Sequence, residues 1–262
     1  MEDPINQILF AYGQMIYAND YDNLIKYINI EHINILDRYG KSLLYYVIEF
    51  DSNMTDYDPK NTETINNYYQ RKRIFKYLLK SGANVNQICN DKTPLSEAII
   101  NEQLYYVKKM LKYYGDVKIT ERINRAMLYT VSNINYVKSY PAVSYKILTL
   151  LVDKGIVDIN YVDNDGNSAL HHCLMVRTKY ELEVEQIVYY LIEKSINYDL
   201  QNKRGDTALM IAIRNCLTYA VFILLDSGAN KTLKNLKGET VQSLAKLCDY
   251  SHIVNLIDTL PC

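Results

Sequence analysis

Apolar residues recur along the chain in pairs of short helical stretches, separated by polar turns that contain glycine. Residues 202–209, NKRGDTAL, lead into an apolar stretch that ends at 224–230 in LLDSGAN, and residues 235–241, NLKGETV, start the pattern again 33 positions after the first. A fixed period near 33 residues is typical of a solenoid, in which each small unit packs on its neighbours. The pattern therefore predicts an all-α chain of stacked helix pairs.

Each predicted unit starts with a turn of the form Asp/Asn-x-x-Gly-x-Ser/Thr. Glycine tolerates a positive φ, and the hydroxyl can accept a hydrogen bond from a backbone N–H at the start of the first helix. Pro94 suits a first helical position, where its missing N–H costs nothing. Gly82, Gly155 and Gly228 follow the second helices, where a left-handed residue closes the last turn.

This unit resembles the ankyrin repeat, D-x-x-G-x-T-P-L-H-x-A followed by a second helix and L-L-x-x-G-A-x-x-N. Residues 163–171, DNDGNSALH, and 93–98, TPLSEA, match its opening, and 78–86, LLKSGANVN, match its end. The resemblance implies an ankyrin-repeat solenoid of about six repeats within 37–262, behind a helical N-terminal cap or half repeat at 1–36. The repeats are expected to open near residues 37, 88, 121, 163, 202 and 235.

Two of these repeats depart from the pattern. The repeat at about 121–162 is degenerate, because AMLY at 126–129 stands where T-P-L-H belongs and no glycine turn precedes it. The repeat at 235–262 is expected to cap the C-terminus, since terminal repeats are atypical. Leucines are expected to fill the core at equivalent positions of the repeats; they are Leu44, Leu95, Leu170 and Leu209 on first helices, and Leu78, Leu79, Leu150, Leu151, Leu224 and Leu225 on second helices.

The first two repeats lie further apart than the period allows, because the equivalent positions Ser42 and Thr93 differ by 51. The extra residues fall within about 51–70, between the two helices of repeat one, and smaller excesses fall near 132–144 and 176–183. We expect all three insertions on one edge of the stack, either as contact loops or as drift in tolerant loops.

Composition argues against several classes of function. The net charge is −1 without a basic stripe, which disfavours nucleic-acid binding. No stretch approaches the roughly 20 apolar residues that span a membrane, and the start is acidic where a signal peptide is basic. Five cysteines without a CxxC pair are typical of reduced thiols. We therefore expect a cytoplasmic protein, with the nucleus as an alternative, that contacts neither nucleic acid nor membrane.

Candidate chemistry is sparse. Residues 171–173, His-His-Cys, resemble metal ligands, but adjacent helical positions point about 100° apart and cannot easily converge on one ion. His171 also occupies the His of the family's T-P-L-H, where it would hydrogen-bond neighbouring turns. No nucleophile elbow, H-E-x-x-H or kinase signature occurs. We expect no catalytic residue, no metal site, no cofactor and no enzymatic activity.

The resemblance also implies a binding surface, because ankyrin folds usually meet their partners through the turn tips and the exposed side of the first helices. The alternative for each position is an uninvolved surface residue, since few interface residues contribute most of the affinity. The implied partner-binding residues are Arg38, Tyr39, Lys41, Glu49, Phe50, Asn90, Lys92, Asn164, Asp165, Asn167, Met175, Lys203, Arg204, Asp206, Arg214 and Asn215.

Repeats rich in Tyr, Ile and Asn with long inter-helix insertions look like the ankyrin proteins of poxviruses, and residues 151–161, LVDKGIVDINY, are typical of them. Members of that family bind host proteins in the infected cell and suppress NF-κB-type or death signalling, and many recruit a ubiquitin ligase through a C-terminal F-box-like segment. This chain stops at 262. Ligase machinery is therefore an expected partner only if the chain is a fragment.

The expected function is thus a viral interaction protein that captures a host signalling or cell-death protein. The alternatives are an ankyrin effector of an intracellular bacterium, or the substrate-binding part of a larger protein such as an F-box adaptor.

Overall fold

A computed structural model describes residues 4–53, 61–113, 120–132, 141–175, 181–247 and 251–259. Helices and turns make up these residues, so the all-α prediction is confirmed for them. Parts of the three predicted insertions, residues 54–60, 133–140 and 176–180, lie outside the described residues. The chain divides into two compact units, residues 1–123 and 124–262.

Among its described residues, the first unit contains six complete helices and a short 3-10 turn at Ile30–His32. α1 packs on α2 and α3, α3 packs on α4 and α5, and α5 packs on α6. Leu44, Leu78, Leu79 and Leu95 are buried between them, as predicted. The helices are α1 (Pro4–Tyr17), α2 (Tyr21–Tyr27), α3 (Leu43–Asn53), α4 (Thr62–Lys80), α5 (Pro94–Ile100) and α6 (Leu104–Tyr113).

The predicted start signals explain the first helix of the second repeat. The Thr93 hydroxyl accepts from Ser96 N, the Ser96 hydroxyl accepts from Thr93 N, and Pro94 occupies the first helical position of α5. This reciprocal pair satisfies two backbone donors that a helix start leaves without an intrahelical partner.

The insertion predicted at 51–70 is partly helical, which the sequence pattern did not indicate. Residues 51–53 are the last residues of α3, and residues 62–70 are the first half of α4. The Asn61 side chain caps α4 by accepting from Glu63 N and Thr64 N. The cap starts the helix early, and the insertion therefore lengthens α4 to 19 residues.

Among its described residues, the second unit contains most of α7 (Glu121–Ser132), then α8, and then three helix pairs that repeat one arrangement. First helices α9, α11 and α13 pack in one row, and second helices α8, α10, α12 and α14 pack in another. Leu151, Leu170, Leu209, Leu224 and Leu225 are buried as predicted, whereas Leu150 is half-buried. The helices are α8 (Pro141–Asp153), α9 (Ala169–Leu174), α10 (Glu181–Glu193), α11 (Ala208–Arg214), α12 (Thr218–Asp226), α13 (Val241–Leu247) and α14 (Ser251–Thr259).

Candidate functional site

The turn tips are fixed by side chains that accept hydrogen bonds from their own turn. Asp163 Oδ1 accepts from Asp165 N and Asn167 N, both at 2.8 Å. Asn202 and Asn235 make the same pair of bonds two and four residues ahead in their own turns. These Asx-type bonds set the backbone of each tip, which leaves the side chains between them pointing outward.

The second repeat forms a different tip because it lacks both the Asp and the glycine. Cys89 and Lys92 exchange two backbone hydrogen bonds, and the residues between them, Asn90 and Asp91, have φ of 47° and 66°. Two positive φ angles in a two-residue loop are typical of a type I′ turn, which Asn and Asp tolerate. Asn90 Nδ2 donates to the Tyr39 carbonyl at 2.6 Å, so this predicted contact residue also links two turns.

Two predicted partner-binding residues are buried, and their assignment to the binding surface is wrong. Asn167 is 8% exposed and its Oδ1 accepts from Asn202 Nδ2. Asp206 is 1% exposed; it accepts from Asn235 Nδ2 at 2.9 Å and from Arg214 at 2.6 Å. Both side chains form hydrogen bonds that join one turn to the next, and because they are buried, a partner cannot reach them.

Other predicted charges form ion pairs within their own unit. Lys41 Nζ lies 2.7 Å from Glu49, and Lys92 Nζ lies 2.7 Å from Glu97, whose carboxylate is buried. Arg214 bridges Asp206 and Glu239, and its hydrogen bond to Asp206 raises the pKa of its guanidinium. Hydrogen bonds from Asn235 and Arg214 lower the pKa of Glu239, and those from Arg214 and Asn235 outweigh burial and lower the pKa of Asp206. These ion pairs stabilise the scaffold, and the exposed sides of the charged groups remain accessible to a partner.

Most of the remaining predicted residues reach solvent at the tips. Neighbouring tips are joined through the backbone, because Lys203 N donates to Asp165 O and Leu236 N donates to Arg204 O. Asn215 is half-buried and donates to Leu174 O in the preceding repeat, where Met175 is also half-buried. The exposed members are Arg38, Tyr39, Asn90, Asn164, Asp165, Lys203 and Arg204.

His171 has the structural role that its place in the motif predicted. Its Nδ1 lies 2.8 Å from Ser168 Oγ, and its Nε2 lies 2.9 Å from the Asp206 carbonyl in the next turn. Burial lowers the pKa of this imidazole, which therefore stays neutral at pH 7. Within the described segments, His, Cys, Asp and Glu side chains form no group of three or more that could hold a metal ion.

An aromatic groove of about 250 Å³ lies in the first unit, between α1, the first turn tip and α3. Its walls carry five aromatic rings, from Phe10, Tyr17, Tyr39, Tyr46 and Phe50. Phe10, Tyr17 and Tyr39 are 56%, 64% and 52% exposed. The name aromatic groove is used below for this site, whose other lining residues are Gly13, Gln14, Ile16 and Glu49.

The groove brings together three of the predicted partner-binding residues, Tyr39, Glu49 and Phe50. Sequence reasoning missed Phe10 and Tyr17, which lie seven positions apart on α1 and so share one of its faces. That spacing was visible, but the cap carries no repeat motif to show which face meets the first repeat. Tyr46 was missed too, and its hydroxyl donates to the Asp37 carboxylate at the base of the first tip.

The second unit has a groove of its own, of about 410 Å³, beside the start of α12. Val184, Leu217, Tyr219, Phe222 and Leu256 supply its larger apolar walls. No predicted partner-binding residue lines it. Across the described segments, no helix combines the length and apolar character needed to cross a bilayer.

Comparison with known proteins finds a family match over part of the chain. Residues 140–235 match the family model of ankyrin repeats, in three copies. The chain is 26% identical over 241 residues to ankyrin repeat protein L92 of Acanthamoeba polyphaga mimivirus, covering 84% of this chain and 53% of that protein. It is 24% identical over 183 residues to ankyrin repeat protein FPV024 of Fowlpox virus, covering 68% of this chain and 27% of that protein.

The chain therefore spans only about half and a quarter of the length of these two relatives. Among solved structures, it is similar to the ankyrin repeat domain of Bcl-3, described as a unique member of the IκB protein family. That likeness has a TM-score of 0.69 at 17% identity and covers 94% of this chain and 97% of the other. Together, these comparisons confirm the fold that the turn motifs predicted.

Proposed function

We propose that this chain, an ankyrin-repeat protein, is a non-enzymatic module that binds another protein through the aromatic groove and the exposed turn tips. The repeats supply a rigid scaffold whose tip backbones are already hydrogen-bonded, so little ordering remains when a partner binds. The observation that carries the proposal is the cluster of five aromatic residues at one exposed site.

Exposed aromatic clusters are unusual on a surface that meets only water. Phe10, Tyr17 and Tyr39 each leave about half or more of their surface accessible within one depression. Aromatic side chains dominate the energetics of protein interfaces, because they bury a large area at a small cost in rotamer entropy. A second depression of about 150 Å³ shares Phe10 and Tyr39 and extends the site towards Arg38.

The proposed biological role is capture of a host intracellular signalling or cell-death protein by a viral protein in the host cytoplasm. The similarity to fowlpox and mimivirus ankyrin proteins supports the viral assignment. Suppression of NF-κB-type or necroptotic signalling is the outcome that the poxvirus resemblance implies.

The test is affinity purification of the tagged chain from transfected vertebrate cells, compared across three baits. The first bait is the native chain, and the second carries Phe10→Ala and Tyr39→Ala in the aromatic groove. The third is a matched control that carries Phe222→Ala and Tyr219→Ala, which remove two similarly exposed rings from the groove of the second unit.

We expect one host protein to be recovered with the native bait and the control bait, and lost with the groove bait. Equal recovery with all three baits would show that the contact surface lies elsewhere. An NF-κB reporter and a necroptosis assay with the same baits then test the pathway. A chain that captures a partner and leaves both signals unchanged would favour the bacterial-effector or adaptor alternatives.

A further inference from the structure

We propose that a second surface, on the solvent side of α4 and α6, binds an acidic segment of a protein, a short run of Asp and Glu side chains. It shares no residue with the aromatic groove, so it goes beyond the proposed function. The surface is called the basic face below. It consists of Lys72, Arg73, Lys76 and Lys80 on α4, and Lys108, Lys109 and Lys112 on α6.

Helical spacing places most of these cations on the exposed side of each helix. Arg73, Lys76 and Lys80 are three and four positions apart and share one side of α4, and Lys108 and Lys112 share one side of α6. All five are exposed, whereas Lys72 and Lys109 are half-buried. The opposite side of each helix is apolar and buried; its residues are Ile74, Phe75, Leu78 and Leu79 on α4, and Tyr106, Val107, Met110 and Leu111 on α6.

The two helices are neighbours, which joins their cations into one surface. The ring centroids of Phe75 and Tyr106 lie 4.5 Å apart. Lys72 Nζ lies 4.1 Å from the centroid of the Tyr105 ring, across the line where α4 meets α6. Cations that the sequence distributes over residues 72–112 therefore act on the same occupant.

The balance of charge on this surface is strongly one-sided. α4 and α6 together contain eight Lys and Arg residues and a single acid, Glu63 in the first turn of α4. Among the described residues, Arg73 is the member of the basic face that forms an ion pair, with Asp22 at 3.9 Å, and the other six form none. Like charges three or four positions apart destabilise a helix, and a run of carboxylates would relieve that repulsion.

The second helices of the second unit show that this charge is not a general property of the row. α8, α10, α12 and α14 contain one lysine and seven Asp and Glu residues. A lysine-rich composition of the whole chain would have affected these helices too. The basic face is therefore a local feature of α4 and α6.

Size and ring access favour an acidic protein segment over a nucleic acid. From Arg73 to Lys80 the face extends about 10 Å along α4, at 1.5 Å per residue. A longer polyanion would extend past it onto a chain whose net charge is −1. Lys72 Nζ also lies 3.4 Å from the centroid of Tyr68 and 4.1 Å from that of Tyr105, so a base cannot stack on the covered faces of these rings.

The experiment measures fluorescence anisotropy of labelled peptides titrated with the full chain. One peptide carries six consecutive glutamates between Gly-Ser ends, and its matched control carries six glutamines. We expect the glutamate peptide to bind and the glutamine peptide not to bind. Binding should weaken about tenfold or more when NaCl is raised from about 50 to about 300 mM, because salt screens exposed charges.

Two quadruple variants with the same loss of charge locate the contact. The first replaces Lys76, Lys80, Lys108 and Lys112 with Gln, and should weaken the glutamate peptide about tenfold or more, because each exposed pair contributes modestly and the four act together. The control replaces four exposed lysines of the second unit with Gln, and should bind within about twofold of the native chain. Glutamine has a helix propensity close to that of lysine, so both variants should give the native circular dichroism spectrum. The control positions are Lys146, Lys154, Lys234 and Lys246.

Further outcomes identify the occupant and separate this surface from the proposed function. The chain with Phe10→Ala and Tyr39→Ala should bind the glutamate peptide as the native chain does, and a loss there would assign the peptide to the aromatic groove and overturn the basic face. Absence of binding, or equal weakening in both quadruple variants, also overturns it. An RNA oligonucleotide or a phosphatidylserine vesicle that binds more tightly than the peptide, and is lost with the first variant, would show that the face takes a nucleic acid or a membrane instead.

Discussion

The contribution of the contact between neighbouring turn tips to stability can be measured with two glycines. They have the same backbone conformation, but only one of them lies against the next turn. Gly205 and Gly238 occupy the same turn position in successive repeats and have φ of +73° and +74°. A Cβ on Gly205 would lie 2.7 Å from Leu236 N and 2.9 Å from Asn235 Cα, which belong to the next turn. A Cβ on Gly238 would meet no atom within 4 Å.

Alanine at either position must adopt a left-handed backbone, which costs about 1–2 kcal/mol. At Gly205 the new methyl group also forces the next turn away, and overpacking of this kind costs roughly 1–3 kcal/mol more. We therefore expect Gly238→Ala to lower the free energy of unfolding by about 1–2 kcal/mol and Gly205→Ala by about 2–5 kcal/mol. Because the φ angles match, the difference between the two variants measures the contact between tips.

The assay is urea unfolding followed by far-ultraviolet circular dichroism. The comparison requires that the free energy of unfolding depends on urea concentration with the same slope in both variants. Hydrogen exchange adds a local measurement, since Leu236 N donates to Arg204 O across the two turns at 3.0 Å. This amide should exchange faster in Gly205→Ala than in Gly238→Ala. Two variants that agree within about 0.5 kcal/mol would refute the reasoning, because additivity alone allows that much scatter.

Three further predictions concern single side chains. Gly13→Ala should raise the free energy of unfolding by about 0.5–1 kcal/mol in the same urea assay, because α1 gains helix propensity and the methyl group meets open space; a loss of stability would show that position 13 is packed. Asp206→Asn should lower the free energy of unfolding by about 1.5–3 kcal/mol, because Arg214 loses its charged hydrogen-bond partner. The control variant Lys203→Gln, at an exposed position of the same turn, should change it by less than about 0.5 kcal/mol. Burial lowers the pKa of His171 in the folded chain, so the unfolded chain binds more protons as pH falls below about 6.5, and stability should decrease between roughly pH 7 and 5. The pH dependence in that window should be weaker in His171→Gln, and an unchanged slope would contradict the assignment.

The repeat scaffold was predictable because its signals are local. The turn at 163–168 and the capping residues Thr93 and Ser168 act within a few positions of the chain, and the structure places them as the motif predicts. The leucines of the repeat motif likewise predicted buried positions, Leu150 excepted, because equivalent positions in stacked repeats meet equivalent neighbours.

The predictions that failed concern residues whose burial depends on contacts between neighbouring repeats. Asn167 and Asp206 occupy the residue before the helix cap, where a single turn suggests an exposed side chain. In the stack, each points to the Asn of the following turn, Asn202 or Asn235, and is buried by it. The co-occurrence of those asparagines in successive repeats was the one available signal.

The aromatic groove lay beyond sequence reasoning for a similar reason. Tyr39 and Phe50 were predicted as contact residues from the repeat, but their neighbours Phe10 and Tyr17 belong to a helix outside the periodic pattern. How that helix packs on α3 determines which of its faces completes the site, and the amino-acid sequence contains no local marker for this choice.

The self-contained hydrogen bonding of the tips has a consequence for how such chains diversify. Asp163 and Asn202 satisfy the backbone donors of their own turns, so the identities at 164, 165, 203 and 204 are not needed to hold the loop shape. Those four positions can be randomised in a display library at little cost in foldability. New binding specificities could then be selected, or could arise by mutation in nature, on an unchanged frame.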